Sequence, residues 1–493
     1  MADNNNNHHS FDAIIIGSGL AGLSTALTIL DAGGRVLILE KEPKLGGNSM
    51  KASSGINAAT TDEERHAFRQ DTLHSAGDAT NPALVDTLVQ HSQEAVLGWL
   101  RERLQVDLSQ VAQLGGHSQP RTHRPAGKLP IGAEIMIKLQ AAVKEFEGKQ
   151  EQDNGVLQIC TSAKATQLVQ DDQGRVVGVA YTITTEEKEQ EVVAHAANVV
   201  LATGGFAADR SSTSWLAKVR PELLALGATA GEFSTGDGLT LASALNANLV
   251  GMQHIQVHPT GFVDPKDPDN PNKFLAAEVL RGVGGILLTP QGKRFCNEIG
   301  RRDYVTDKIF SLNAKYAETK TWQGGSDEKV PQVYLLVSEE GAAAIQKHVD
   351  FYAWKGFLTK VKGAKEVAEY MGMDAETIGA TLQEYQDAAK AGADSFGKSR
   401  FLAVPQLDEE SANYYVGKVE PVLHYCMGGV QINPRGQVLK DESTIIPGLY
   451  ACGEVAGGLH GKNRLAGNSL CECVVFGRIV GQGIVKCENA AKI

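Results

Sequence analysis

Five short segments set Arg, His or Glu beside glycine. They are His258-Pro259-Thr260-Gly261, Ala277-Glu278-Val279-Leu280-Arg281-Gly282, Asn297-Glu298-Ile299-Gly300-Arg301-Arg302-Asp303, His424-Tyr425-Cys426-Met427-Gly428-Gly429 and His460-Gly461-Lys462-Asn463-Arg464. Guanidinium forks and imidazoles are the donors that hold a small anion. The chain carries a formal net charge of −11, so an anion site requires the field to be reversed locally. Arginines converging in one cleft would do that. Taken singly, each residue has a plainer explanation. An isolated arginine is usually a solvated or salt-bridged surface group, and an isolated histidine is more often structural than catalytic. The case therefore rests on convergence, and on the elements that bring distant segments together.

The most legible of those elements open the chain. Phe11 to Ile16 is a short apolar run that reads as a buried parallel strand. Gly17-Ser18-Gly19-Leu20-Ala21-Gly22 follows at once, then a helical pattern from Leu23 to about Asp31, a break at Gly33-Gly34, and a second strand from Arg35 to Leu39 ended by Glu40. In this context each glycine has a task. Gly17 permits the tight turn, Gly19 lets a pyrophosphate approach the backbone, and Gly22 allows close helix–strand packing. The helix N-terminus offers unpaired N–H groups to phosphate, and Glu40 can accept from a ribose diol. These residues predict a dinucleotide site that also includes Leu20, Ala21 and Lys41. A second glycine-rich loop, Leu45-Gly46-Gly47-Asn48-Ser49, follows the acidic strand end, as in FAD-binding oxidoreductases. The next segment, Lys51-Ala52-Ser53-Ser54-Gly55-Ile56-Asn57, is rich in the small residues that let backbone pass close to a planar ring.

Later segments repeat this close-approach signature: the apolar strand running into Thr203-Gly204-Gly205, Thr235-Gly236-Asp237-Gly238 opening a helical stretch, and Gly448 to Gly453-Glu454. Asn468-Ser469-Leu470 leads into an apolar helix around Val474 to Val480, whose N-terminus would face the flavin carbonyls. The cofactor domain is thus expected from both ends of the chain, with an inserted second domain between. The predicted fold is α/β: a Rossmann-like FAD-binding domain interrupted by an α+β capping domain. The divisions are residues 1–10 as a disordered lead, 11–253 and 425–493 as the two parts of the FAD-binding domain, and 254–424 as the cap, with helical patterns around Val367–Met371 and Ala375–Ala389.

Composition sets the bounds. The chain has 493 residues, 42% hydrophobic and 21% charged, ordinary for a globular enzyme of two to four domains. The acidic balance argues against a nucleic-acid partner. No stretch approaches the ~20 apolar residues of a membrane-spanning helix. Seven scattered cysteines without a C-x-x-C pair read as free thiols in a reducing compartment, and no metal set stands out. The polar N-terminus is not a signal peptide. Cytoplasmic placement is expected. The terminal Ala491-Lys492-Ile493 weakly resembles a peroxisomal signal of the Ser-Lys-Leu type, which offers a peroxisome-like organelle as the alternative.

From Gly17 to about Gly483, these motifs in this order resemble the soluble, single-subunit members of the fumarate reductase/succinate dehydrogenase flavoprotein family. The resemblance implies that Arg464 and His424 hold one carboxylate of a dicarboxylate substrate and His258 the other. It also implies that Arg302 donates a proton, with Glu278 and Arg281 as the relay that reprotonates it, after hydride transfer from flavin N5 to fumarate gives succinate. An arginine acid is feasible although its pKa lies above ~12, because the developing carbanion is far more basic. The family pattern often places a substrate-contacting hydroxyl where Ala277 stands here. The loop after Gly46-Gly47 has no histidine at the covalent attachment point of the membrane-bound complexes, which implies non-covalent FAD. Without a haem domain, electrons must come from an external donor, a reduced flavin or a reductase partner, to a monomeric enzyme. An aspartate oxidase, a urocanate reductase or a ketosteroid dehydrogenase on the same fold, and a flavin-binding protein without catalysis, are the alternatives. The Arg464, His424 and His258 set argues against a neutral steroid.

Overall fold

The apolar run at the start of the chain has one stable place, the middle of a sheet covered on both faces. In the computed structural model, strand β1 (Phe11–Ile16) occupies that place, with Ala13 to Ile16 at most 5% exposed. Residues 11–491 are described, apart from 128, 149, 152–153, 185–188, 320–321, 323–328 and 407–411. The expected N-terminal lead, and the last two residues of the Ala-Lys-Ile terminus, lie outside them. Helix α1 (Leu20–Asp31) follows β1 and leads to β2 (Val36–Leu39). The sheet continues in parallel with β3 (Leu157–Cys160) beyond β2. On the other side of β1 lies β4 (Glu189–Leu201). An antiparallel hairpin of Ala163–Gln170 and Val176–Thr184 extends from β4.

A second antiparallel sheet belongs to the middle of the chain. Its main strands are β5 (Ile255–Phe262), β6 (Val333–Ser338) and β7 (Asn413–Cys426), with β7 between the other two. Helix α2 (Arg302–Phe310) packs on β5. Helix α3 (Gln346–Trp354) lies farther along the same region. The two expected helical patterns form Gly363–Met371 and Ala375–Ala391. Each side of this sheet has its own apolar cluster.

The chain then returns to the first sheet. Strand β8 (Ile445–Ala451) pairs in parallel with β4, Leu201 opposite Ala451. Helix α4 (Asn468–Ala491) packs against α1. The architecture is therefore α/β with an inserted α+β region. Strand β7 passes unbroken through residue 424, so the division expected there falls inside a continuous strand. The carboxyl ends of β1, β2, β4 and β8 are in register at Ile16, Leu39, Leu201 and Ala451, the edge at which open α/β sheets bind ligands.

Candidate active site

Gly17 turns out of β1 with φ +105°, and a Cβ there would lie 2.4 Å from the Ala202 carbonyl oxygen. Gly22 lies against the same turn, where a Cβ would stand 2.0 Å from Gly17 O. Gly19 is different: within 4 Å its Cβ would meet only Ser49 Oγ, at 3.7 Å. The first two glycines close the turn on itself, and the third leaves space at the N-terminus of α1, whose N-cap has no side-chain cap bond. That space belongs to a cavity of about 1220 Å³, above the usual ~300–1,000 Å³ of a small-ligand pocket and suited to an extended dinucleotide.

Most of the expected cofactor residues line this cavity. Gly17, Gly19, Leu20, Ala21, Glu40 and Lys41 form one stretch, and Gly47, Asn48, Ser49, Ser53, Ser54 and Gly55 the next. Thr203, Gly204 and Asp237 continue it, and Gly453, Glu454, Ser469 and Leu470 complete it from the C-terminal part. Three stand behind the wall. Gly22 packs on the turn, Gly205 faces Glu454 Oε1, and buried Asn468 accepts from Asn57 Nδ2 at 2.6 Å. They support the wall without facing the cavity, because their free sides are taken by neighbouring atoms.

Polar contacts stiffen the cradle. Glu40 Oε2 accepts from Ser18 N and Oγ, and Oε1 accepts from Glu42 N. A carboxylate has about four acceptor positions, so Glu40 keeps capacity for a ribose hydroxyl. Ser49 Oγ accepts from Leu20 N at 3.1 Å, Lys41 Nζ bridges to Thr235 and Asp237, and Asn48 ties Ser234 to Gly231 N. Burial pushes the Glu454 carboxyl up to about 7.

At one end of the cavity the cationic segments converge. Arg302, the first residue of α2, donates from Nε to Glu278 Oε2 at 2.9 Å and from Nη1 to Gln256 Oε1 at 2.8 Å. Arg464 donates from Nη2 to the same Gln256 oxygen at 3.2 Å and from Nη1 to Leu465 O. His424 Nδ1 lies 2.8 Å from Thr229 Oγ1, and its ring stands 5.3 Å from that of His258. Arg302, Arg464 and His424 face the cavity. His258, Glu278 and Arg281 are buried just behind. Glu278 also accepts from Gly115 N at 3.0 Å.

Arg281 stands one helical turn from Glu278. It sits in the single helical turn Val279–Gly282, three residues after Glu278, but its Nη1 donates to the Glu298 carbonyl at 2.5 Å. Its Nε and Nη2 are buried without a hydrogen-bond partner among the described residues, so it faces Glu278 by charge and not through a hydrogen bond. Ala277 is buried in the cap core, and its N–H points at the Tyr352 hydroxyl, 3.4 Å away. A hydroxyl thus stands beside this position, supplied by α3.

Strand irregularities aim the two histidines. The β5–β7 register runs Gln256 to Tyr425 and then Val257 to Leu423, leaving His424 as an extra residue. It slips again between the His258–Val422 and Gly261–Glu420 pairs, where Pro259 and Pro421 lack the N–H a ladder needs. Bulges of this kind redirect side chains beside active sites.

The electrostatics match an anion site. Burial, then the Arg302 charge, holds both His258 and His424 well below the ordinary imidazole value, so both are neutral near pH 7. Burial works to raise the Glu278 carboxyl, but the charges of Arg302 and Arg281 outweigh it and hold the group below its usual range. Desolvation, aided by Arg302, lowers Arg464 to about 10. Arg302 and Arg281 thus flank the ionised carboxylate of Glu278, and the Arg464 guanidinium joins Arg302 at Gln256, gathering cations at this end of an acidic protein.

Sequence reasoning missed Gln256, Thr229 and Gly115. Gln256 was the findable one. It precedes His258 by two on an extended strand, the spacing that shares a face.

A glycine-walled cradle that fits an extended dinucleotide and ends in buried cations is the site of an FAD-dependent oxidoreductase. The FAD binding domain model matches residues 12–470. A fumarate reductase of Schizosaccharomyces pombe is 41% identical over 96% of this chain and 88% of its own length. Fumarate reductase 1 of Saccharomyces cerevisiae is 39% identical over 96% of this chain and 98% of its own. The open conformation of a flavocytochrome c3 fumarate reductase superimposes with a TM-score of 0.74 at 29% identity, covering 97% of this chain and 78% of that one. The chain belongs to the fumarate reductase/succinate dehydrogenase flavoprotein family.

Proposed function

We propose that this chain reduces the double bond of fumarate to give succinate. The observation that carries this reading is the convergence of Arg302, Arg464, His424 and His258 at one end of the FAD cavity, with a positive excess suited to a dianion. FAD, when bound, supplies the hydride. Arg464 and His424 hold one substrate carboxylate and His258 the other, which fixes the orientation of the alkene. The same cations stabilise the negative charge that develops on the carbon and carboxylate beyond the point of hydride attack. Arg302 gives its proton to that carbon, and Glu278 and Arg281 relay one from solvent back to it, the Glu278 carboxylate taking the proton up and passing it across the 2.9 Å contact to Arg302 Nε. Arg281 keeps Glu278 ionised between turnovers through its charge.

Non-covalent FAD is part of the proposal, since Gly46 to Ser49 offers no histidine for attachment. Electrons come from an external donor, a reduced flavin or a reductase partner, and the working unit is a monomer. No helix among the described residues is long and apolar enough to cross a membrane. Six cysteines among the described residues are free thiols, which suits a reducing compartment such as the cytoplasm.

The test is anaerobic. The flavin of the purified protein is reduced with dithionite, fumarate is added, and absorbance is followed. Rapid reoxidation with one succinate formed per flavin is expected. A bound flavin that stays reduced would overturn the reading.

A further inference from the structure

Arg464 is a buried cation whose own hydrogen bonds leave much of it unanchored. Its Nε has no hydrogen-bond partner among the described residues, and its Nη groups reach only the Gln256 side chain and the Leu465 carbonyl. Beneath it lies an aromatic face, with the Arg464 Cζ 4.3 Å from the centre of the Tyr425 ring. Behind that ring is a built polar assembly. The Tyr425 hydroxyl donates to Glu472 Oε2 at 2.6 Å, and His460 Nε2 lies 2.9 Å from the same oxygen. Glu472 and His460 are each 2% exposed. None of these three groups has a part in the proton transfers above.

The arrangement has an electrical consequence. A phenol that donates to a carboxyl oxygen carries more electron density on its ring, and a richer ring face attracts a guanidinium more strongly. Burial, reinforced by the Glu472 charge, drives the phenol well above its ordinary value, so the hydroxyl keeps its proton. Tyr425 is the extra-residue histidine's successor on β7, so the bulge that aims His424 also sets this ring. Glu472 lies in the first turns of α4. One assembly thereby ties the cap sheet to the helix that closes the cofactor domain.

We infer that Tyr425 is a positioning residue that holds the Arg464 guanidinium against its ring for the substrate carboxylate, and that Glu472 acts on substrate affinity through the Tyr425 hydroxyl. The inference rests on Arg464 being a carboxylate ligand, as proposed above.

The experiment uses the full-length FAD-bound protein and reads succinate affinity from the perturbation of the oxidised flavin spectrum, with the thermal midpoint of each variant as a folding control. Tyr425→Leu, which removes the ring, is expected to weaken succinate binding roughly tenfold or more, in line with a desolvated cation–π contact. Tyr425→Phe and Glu472→Gln are each expected to weaken it about threefold. The decisive comparison is the double variant. Glu472→Gln should have no further effect on affinity in the Tyr425→Phe background. An equal threefold loss there would show that Glu472 acts by another route and overturn the inference. Unchanged affinity in Tyr425→Phe would do the same, and this arm stands if Tyr425→Leu does not fold. A wild-type protein whose flavin spectrum fails to respond to succinate would overturn the carboxylate reading of Arg464 as well, whereas a responding wild type with variants of unchanged affinity overturns this inference alone.

Discussion

Gln256 shows how much one neutral side chain can organise. Its carbonyl oxygen accepts from both Arg302 and Arg464, while its amide donates to Asn463 and to the Arg464 carbonyl. It spaces two guanidiniums that would otherwise repel. Gln256→Leu should raise the KM for fumarate about tenfold or more, because buried N–H donors lose their acceptor at ~1–3 kcal/mol each. Arg302→Ala should lower kcat by roughly 10²–10⁴, the usual weight of a positioned proton donor, with the FAD content of the purified variant unchanged. An active variant would remove Arg302 as the acid. The histidines predict a pH dependence. Their folded-state values lie below the unfolded one, so the neutral forms stabilise the fold above ~6.5, and this contribution is lost as the pH falls through and below that value. A bound dianion pulls both imidazoles back toward protonation. Succinate should therefore bind more tightly at pH 6 than at pH 8 and take up protons as it binds, which titration calorimetry in two buffers of different ionisation enthalpy would show. Affinity independent of pH would contradict the placement of both rings at the carboxylates.

At the scale of elements, the turn between β1 and α1 separates two roles of glycine. Gly22→Ala puts a methyl 2.0 Å from a backbone oxygen, whereas Gly19→Ala meets only Ser49 Oγ at 3.7 Å. The first should unfold the domain or lower its thermal midpoint by many degrees. The second should melt near wild type without cofactor but lose flavin occupancy. Comparing melting and flavin absorbance in both variants checks this. These roles were legible because strand, turn, helix and acid follow one another within thirty residues, and local order determines their geometry. The cation cluster was legible as residue types beside glycines, and as a constellation only through the family resemblance. Gln256 carries no charge to draw attention, and its importance arises only when β5 lies under both arginines. For Arg281 the spacing gave the turn beside Glu278, but spacing on a helix does not reveal that the Glu298 carbonyl takes its Nη1. The bulge at His424 depends on pairing between strands more than 150 residues apart in the chain, from Gln256 to Tyr425, and no local pattern announces it.

At the scale of the molecule, α3 of the cap meets the loop after the small strand Thr122–Arg124. Lys347 Nζ donates to the carbonyls of Ala126 and Gly127 at 3.2 and 3.0 Å, where the cavity reaches the surface. This strap joins two parts of the cavity lining that are distant in the chain, and a contact there is expected to limit the entry of solvent. Lys347→Ala should raise peroxide release by the reduced enzyme in air a few-fold without substrate. An unchanged rate would mean that the strap does not govern access.

The pairing of β4 with β8 also has a consequence in time. Val199 and Leu449 are neighbours in one sheet, yet the whole cap is synthesised between them. A nascent chain that has already made the phosphate turn still lacks Gly453, Ser469 and Leu470 from the opposite wall of the cradle. Such distant pairings form late and slowly. The cradle is therefore complete only once translation has passed residue 470, and a chain released earlier emerges with one wall of the flavin site missing.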